Sequence, residues 1–144
     1  MREALIQLAA AFFGALGFAV LFGMRRRYLF TASLGGMLAW AVYLLLSEKT
    51  GSFAACLTSA AFAVLYAEIL ARLFKTPATL FVIPAVIPLV PGGTLYSCMD
   101  SAVRGQMELA KEYGSQTLNT ALAIAAGLSF VIAIRELRTK REKR

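Results

Sequence analysis

The stretch that decides the fold of this chain is Ile83–Tyr96, which reads IPAVIPLVPGGTLY. It has the apolar composition of a transmembrane helix, yet it contains three prolines followed by two glycines. Gly92 and Gly93 are expected to permit a backbone geometry or a close approach that a side chain would block. A helix in lipid must satisfy its backbone hydrogen bonds internally, and each interior proline removes one donor and clashes with the carbonyl four residues earlier. Pro84, Pro88 and Pro91 therefore predict a discontinuous helix, which membranes tolerate where the backbone is buried in protein or lines a hydrated cavity.

Long apolar blocks on both sides of this stretch indicate an all-α integral membrane protein. The 144 residues are 59% hydrophobic with a mean hydropathy of +0.69, and one membrane span needs about 20 apolar residues. We predict a single transmembrane domain over 1–144 with about five spans, the fourth broken at the Pro-Gly-Gly segment and followed by an amphipathic helix. The predicted spans are 4–24, 28–46, 53–72, 78–98 and 116–134.

The first apolar block is expected to remain in the protein as a membrane span. Ala4–Met24 is longer than the apolar core of a secretory signal, and no persuasive cleavage site of small residues follows it. The basic run Arg25–Arg27 comes after this block rather than before it.

Lysine and arginine are distributed unevenly over the connections and predict the orientation, because cytoplasmic loops are enriched in these residues. With an external N-terminus, the outer segments carry only Arg2, Lys49, Arg104 and Lys111. The inner segments then carry Arg25, Arg26, Arg27, Arg72, Lys75, Arg135, Arg138, Lys140, Arg141, Lys143 and Arg144. We therefore expect the N-terminus outside and the C-terminus, with its basic tail 135–144, inside.

The residues after the glycines read as a second helix over Thr94–Tyr113, with charged residues at helical spacing on one face. Together with the fourth span this makes about 35 residues, too long for a single crossing. The second helix is expected to leave the outer face or lie along it, before Gly114–Ser115 turns the chain into the fifth span. A re-entrant hairpin at Gly92–Gly93 is the competing topology, but it would place the basic tail outside.

The break predicts a ligand site, because a helix that starts there exposes backbone amides. The amides of 93–96 would suit an anion such as a substrate carboxylate, and freed carbonyls upstream would suit an ammonium group. The alternative interpretation is a kink that serves helix packing alone. The candidate substrate-binding residues are Gly92, Gly93, Thr94, Tyr96 and Ser97.

Two acidic residues near the membrane interior are candidates for coupling transport to an ion gradient. Glu68 lies four residues before Arg72, so an ordinary helical ion pair is the alternative for it. Asp100 lies about two turns beyond Gly93, and it has the same kind of alternative partner in Arg104.

Enzymatic, metal and nucleic-acid functions are not predicted. The chain has no histidine, and it lacks the local motifs of hydrolases, metalloproteases and phosphate-binding loops. We predict no metal and no cofactor. The net charge of +7 comes from basic residues between and after the apolar blocks. This distribution indicates membrane orientation rather than a nucleic-acid-binding surface. Cys56 and Cys98 are expected to be free thiols, with a disulfide between them as the alternative.

The segment Phe81–Gln106, with its Pro-x-x-Pro-Gly pattern followed by a tyrosine, resembles the C-terminal half of the threonine/serine exporter family. The order of apolar blocks extends this resemblance over nearly the whole chain. The resemblance implies a proton-driven secondary exporter of small hydrophilic metabolites in a bacterial cytoplasmic membrane. Threonine, serine and dicarboxylates such as succinate are the substrates that it implies.

Members of that family occur as fused or split halves, so the resemblance also implies a larger membrane subunit as partner. A homo-oligomer is the other assembly to consider, and membrane lipid is expected around the chain. The alternative function is a membrane scaffold that stabilises a partner transporter and binds no substrate itself.

The charge distribution predicts the side of each terminus. A reporter fused after Arg144 should be cytoplasmic and one placed before Met1 should be external, because the basic segments then all face the cytoplasm. Paired fusions, one active only outside and one fluorescent only inside, measure this. An external signal at the C-terminus would favour the re-entrant hairpin over five spans.

Overall fold

The structure, a computed structural model, describes residues 2–142, apart from the side chains of 136 and 138–142. Regular secondary structure in this range is entirely helical, which confirms the predicted all-α class. The basic tail beyond Leu137 therefore lies outside the described side chains. The elements in chain order are α1 (Arg2–Leu21), α2 (Arg26–Thr50), α3 (Ser52–Phe74), α4 (Thr79–Val86), a 3₁₀ turn (Ile87–Leu89), α5 (Gly92–Val103) and α6 (Met107–Glu142).

Four of these helices are long and apolar enough to cross a membrane, namely α1, α2, α3 and the Met107–Arg135 part of α6. A fifth span results if the segment from α4 to α5, which bends by 48° at its break, is counted as one crossing. The first predicted span ends three residues early, at Leu21, because Gly23 turns the chain with a φ of 67°. The second and third predicted spans lie within α2 and α3, which extend beyond them at both ends.

Small side chains allow the helices to approach closely, as is common within membranes. Helix α2 packs against α1, α3 and α4, and α3 packs against α6. The closest approach is at Gly127 of α6, where a Cβ would lie 3.0 Å from the Cβ of Ala60 and still nearer the carbonyl oxygen of Leu57. The fully buried small residues include Ala15, Ala19, Ala32, Ser33, Ala39, Ala55, Ser59, Ala60, Ala63 and Ala67.

Helices α3 and α6 run in the same direction, which defines two ends of the bundle. Cys56, near the start of α3, has its Sγ 3.9 Å from the carbonyl oxygen of Thr120. Glu68, twelve residues later, has its Oε1 3.6 Å from Nε of Arg135. We call these the Cys56 end and the Glu68 end.

The interruption of the fourth span lies at Val90 and Pro91, just before the two glycines. Val90 is extended with a ψ of 127°. Pro91 has φ −78° and ψ 54°, and the Gly92 amide donates across it to the Val90 carbonyl over 2.8 Å. These angles describe an inverse γ-turn. Pro84 lies inside α4 without ending it, and Pro88 lies in the 3₁₀ turn.

The glycines of the break do not act as the sequence suggested. We expected them to permit a backbone geometry or a close approach that a side chain would block. Both lie within α5 without a positive φ, and a Cβ added to either would meet nothing within 4 Å. That expectation was wrong, because the fixed φ of proline and the extended Val90 already redirect the chain.

The predicted helix over 94–113 was also wrong, and so was the turn at Gly114–Ser115. Helix α5 ends at Val103, and the chain turns at Gly105, whose φ of 75° is the left-handed conformation that glycine adopts after helix ends. Helix α6 continues through Gly114 because that position faces α5, where a Cβ would lie 3.3 Å from Sγ of Cys98. The first turns of α6 therefore pack back along α5.

The close contact at Gly127 predicts opposite effects of two matched substitutions. Gly127→Ala should destabilise the purified protein by about 1–3 kcal/mol, because the methyl group must push α3 and α6 apart. Gly14→Ala, on a face of α1 with open space around it, should be neutral or should stabilise by up to about 1 kcal/mol. Thermal unfolding in detergent measures both, and equal melting temperatures would contradict the packing described here.

Candidate functional site

A cavity of about 600 Å³ opens at the Cys56 end, where the break faces α2, α3 and α6. Aromatic residues of α2 form one wall and polar residues of α6 form another. The break supplies the floor between them. The principal lining residues are Trp40, Tyr43, Ser52, Cys56, Pro88, Pro91, Gly93, Thr94, Gln116, Asn119 and Thr120.

The start of α5 presents two backbone amides at this cavity. The amides of Gly93 and Thr94 donate to no backbone acceptor among the described residues, whereas the Leu95 amide closes the first turn on the Pro91 carbonyl over 3.1 Å. The sequence predicted four exposed amides, over 93–96. The number is two, because from Leu95 onward each amide has a helical acceptor four residues earlier.

The hydroxyl of Thr94 is held in place by the backbone and by α6. Its Oγ1 donates to the Pro91 carbonyl over 3.2 Å, and Oγ1 of Thr117 lies 3.0 Å from it. On the opposite wall, Trp40 stacks on Tyr43 with ring centroids 4.9 Å apart. The site therefore combines an aromatic surface with hydrogen-bond donors at a helix N-terminus, an arrangement that suits a small polar ligand with an anionic group.

The freed carbonyls of the prolines contribute less than expected. Pro88 removes the helical donor of the Pro84 carbonyl, but this oxygen faces Gly36 of α2, where a Cβ would lie 3.1 Å from it. The Ile87 carbonyl accepts from the Val90 amide over 3.2 Å. These two oxygens are covered or bonded within the bundle, so the ammonium site predicted upstream of the break is not present at either of them.

The predicted substrate-binding residues are only partly brought together. Gly93 and Thr94 line the cavity and Gly92 is adjacent at the start of α5. Tyr96 and Ser97 are not among the lining residues, and Tyr96 is 73% exposed. A role in substrate binding remains a prediction for all five of these residues.

Sequence reasoning missed the walls that α2 and α6 contribute. In the sequence, Trp40 and Tyr43 indicate only membrane anchoring or helix contacts. The spacing of Gln116, Asn119 and Thr120, which are polar residues three and four apart at the start of an apolar span, was the available signal. It would have placed them on one helix face.

The two acidic candidates occupy different environments, and neither lines this cavity. Asp100 pairs with Arg104, with Oδ2 2.9 Å from Nε, and its side chain is 40% exposed. Glu68 is more deeply buried, with 13% of its side chain exposed, and its ion-pair partner is Arg135 rather than the predicted Arg72. The local pairing failed because α6 brings a second arginine across the helix interface. A coupling role remains a prediction for both acids.

The two cysteines are free thiols, as expected. Each makes its own contact with α6. Sγ of Cys56 lies 3.9 Å from the Thr120 carbonyl, and Sγ of Cys98 lies 3.2 Å from the Ala110 carbonyl.

An all-helical membrane bundle with a discontinuous helix at a polar cavity has the architecture of a membrane transport protein. Comparison with protein families agrees, since the family described as "Threonine/Serine exporter, ThrE" matches residues 7–134. The chain belongs to this exporter family. Neither the curated proteins nor the solved structures contain a match to the chain.

The cavity holds the single tryptophan of the chain, which makes binding directly observable. Titration of the purified protein with L-serine or L-threonine should change Trp40 fluorescence. Asn119→Leu should weaken the apparent affinity about 10-fold, the value of one lost hydrogen bond. Gln106→Leu, an equally exposed polar residue outside the cavity, is the control and should have no effect. Equal affinities for the two variants would contradict ligand binding at this wall.

Proposed function

We propose that this chain is a subunit of a secondary-active exporter of small metabolites, with the Trp40-lined cavity as its substrate site. The observation that carries the proposal is that Gly93 and Thr94, whose amides have no backbone acceptor among the described residues, line that cavity. A helix N-terminus favours an anionic group, and discontinuous helices form substrate sites in many transporters. Family membership over 7–134 supports the same function.

The substrates proposed are threonine- and serine-like amino acids, in keeping with the family. A dicarboxylate such as succinate is the second class, because both kinds of molecule offer a carboxylate to the two amides. Gln116, Asn119 and Thr120 supply further polar groups for the remainder of either molecule.

Export is proposed to be driven by the proton gradient, with Glu68 as the stronger coupling candidate. Its carboxylate is mostly buried between α3 and α6, and buried acids within membrane helices are commonly functional. Asp100, more exposed and paired with Arg104 over 2.9 Å, is better suited to stabilising the end of α5.

The proposed location is a bacterial cytoplasmic membrane, with the N-terminus outside and the C-terminus inside. The parallel course of α3 and α6 supports this orientation, since both would run inward and bring Arg72 and Arg135 to the cytoplasmic side. Helix α6 has 36 residues and is about 54 Å long, well beyond the hydrocarbon thickness of about 30 Å. Its first turns, together with α5, would project on the outer side.

A larger membrane subunit is the proposed partner. Large apolar side chains stay exposed along α5 and the start of α6, including Tyr96 at 73% and Val103 at 88%. Charged residues such as Arg104 and Glu108 lie nearby, and a mixed surface of this kind suits a protein partner more than lipid tails. A second copy of this chain is the other occupant to test.

Efflux measurements in cells test the proposal and separate it from a scaffold role. Serine and threonine efflux should require this chain together with its partner subunit, and succinate efflux is measured beside them as the second substrate class. Thr94→Val should reduce efflux about 10-fold, because it removes a hydroxyl that the cavity holds beside the free amides. Thr58→Val is the matched control and should keep wild-type efflux, since the Thr58 hydroxyl bonds only carbonyls of its own helix.

Membrane insertion and co-purification of the partner are measured for both variants. Wild-type efflux from a well-assembled Thr94→Val protein would remove this residue from the site. If Thr94→Val, Asn119→Leu and their combination all transport normally while deletion of the chain abolishes efflux, the chain is a scaffold and binds no substrate.

A further inference from the structure

A second, smaller cavity of about 200 Å³ lies at the Glu68 end, where α3 terminates beside α6. It belongs to neither the break nor the Trp40-lined cavity. Glu68 and Cys56 are twelve residues apart on α3, which corresponds to about 18 Å along the helix. The lining residues that matter are Glu68, Arg72, Thr76, Pro77, Ala78 and Arg135.

The end of α3 shapes this cavity. Lys75 takes the left-handed conformation with a φ of 52°, and the amides of Lys75 and Thr76 both donate to the Ala71 carbonyl. This is a common way to close a helix C-terminus. It folds Thr76 and Pro77 back toward Glu68 and Arg72, which stand one turn apart on α3.

Two buried polar atoms in the cavity wall lack hydrogen-bond partners among the described residues. They are Oε1 of Glu68 and Oγ1 of Thr76. Nε of Arg135 lies 3.6 Å from the Glu68 oxygen, which is within the range of an ion pair but too long for a hydrogen bond. Buried polar atoms are rarely left in this state, so Glu68 lacks a donor that a ligand in the adjoining cavity of about 200 Å³ could supply.

The charges of the wall define what such a ligand must carry. Glu68 offers a carboxylate oxygen. On the same helix, Arg72 makes no ion pair with any described side chain. Arg135, also in the wall, forms an ion pair with Glu68 but leaves its Oε1 without a hydrogen bond. A ligand that complements Glu68 and Arg72 carries an ammonium group and a carboxylate on neighbouring atoms. Guanidinium groups bind carboxylates through two parallel hydrogen bonds, and this bidentate geometry adds specificity.

We propose that the Glu68 end holds a second binding site, for the zwitterionic backbone of a small α-amino acid. Its ammonium group donates to Glu68, its carboxylate pairs with Arg72, and the Thr76 hydroxyl bonds either group. The small volume restricts the side chain. This site rests on the proposed export function, in which it would receive the substrate on the side opposite the Trp40-lined cavity.

The same arrangement selects against a dicarboxylate. A molecule with a carboxylate in place of the ammonium would bring a second negative charge against Glu68, where like charges repel, and would compete with Glu68 for Arg135. The Trp40-lined cavity offers amides and neutral polar groups, which do not make this distinction. The Glu68 end therefore supplies the preference for amino acids over succinate.

Protection of an introduced cysteine tests the site in the full-length protein. Ala78→Cys places a thiol in the wall, in a Cys98→Ser background that retains the buried Cys56. We expect L-serine to slow modification by a polar maleimide at least 10-fold, whereas succinate and ethanolamine, each lacking one of the two charges, slow it less than 2-fold. Equal protection by succinate would overturn the proposal.

Substitutions in the wall give the second arm of the test. Arg72→Gln and Glu68→Gln should each raise the serine concentration for half-protection at least 10-fold. Lys75→Gln, a neighbouring cation outside the cavity, should leave it unchanged. Arg72 has no ion pair with any described side chain, so its variant remains informative if Glu68→Gln fails to fold. Unchanged protection in Arg72→Gln would overturn the proposed carboxylate contact.

Trp40 fluorescence in the same samples separates this site from the proposed function. A serine response at Trp40 without protection of Ala78→Cys overturns the second site and leaves the substrate cavity standing. Protection without a Trp40 response supports the second site and removes the evidence for the first.

Discussion

Pro84, Pro88 and Pro91 leave three of the eight residues 84–91 without a backbone N–H donor. The packing of the surrounding helices depends on this loss. An unpaired carbonyl is costly in an apolar environment, and the neighbouring helices treat the freed carbonyls in two ways. Gly36 brings the backbone of α2 against the Pro84 carbonyl, and the 3₁₀ turn supplies the Val90 amide to Ile87. The upstream side of the break is thereby closed. The downstream side, where α5 begins, is left open to the cavity.

This asymmetry explains why the break suits an anionic group better than a cation. Carbonyl oxygens would attract an ammonium, but the packing of α2 covers the one that Pro88 frees. The amides of Gly93 and Thr94 have no backbone acceptor among the described residues, and they lie at the positive end of the α5 dipole. The polarity of the site thus follows from which side of the break the neighbouring helices pack against.

Helices α3 and α6 run between the two ends of the bundle and pack closely at Gly127. Gly127 lies against Leu57 and Ala60, between the polar cavity at one end and the Glu68–Arg135 pair at the other. Small residues remove the side chains that would otherwise separate the two backbones. No side chain separates the two backbones at this contact, which lies between the two cavities along the helix pair.

The errors of sequence reasoning fall where a local pattern had two solutions. Gly105 and Gly114 both lie among polar residues, and either is compatible with a turn. Only the packing of α6 on Cys98 shows which glycine stays helical. Arg72 is the obvious local partner for Glu68 at a spacing of four, yet α6 places Arg135 nearer its carboxylate. The polar face with Gln116 and Asn119 was visible in the sequence. The aromatic wall of α2 on the other side of the cavity was not.

The sequence by itself determined the all-helical membrane class, the positions of most helices and the existence of the break. It also determined that a helix with exposed N-terminal amides begins just after the break. These are properties of hydropathy and of proline stereochemistry, which act within a few residues of their source. Only the tertiary structure decided which carbonyls are covered, which amides stay open and which arginine meets Glu68. Each of these depends on how helices distant in the chain are rotated against one another, and small residues permit several such rotations until the whole bundle packs.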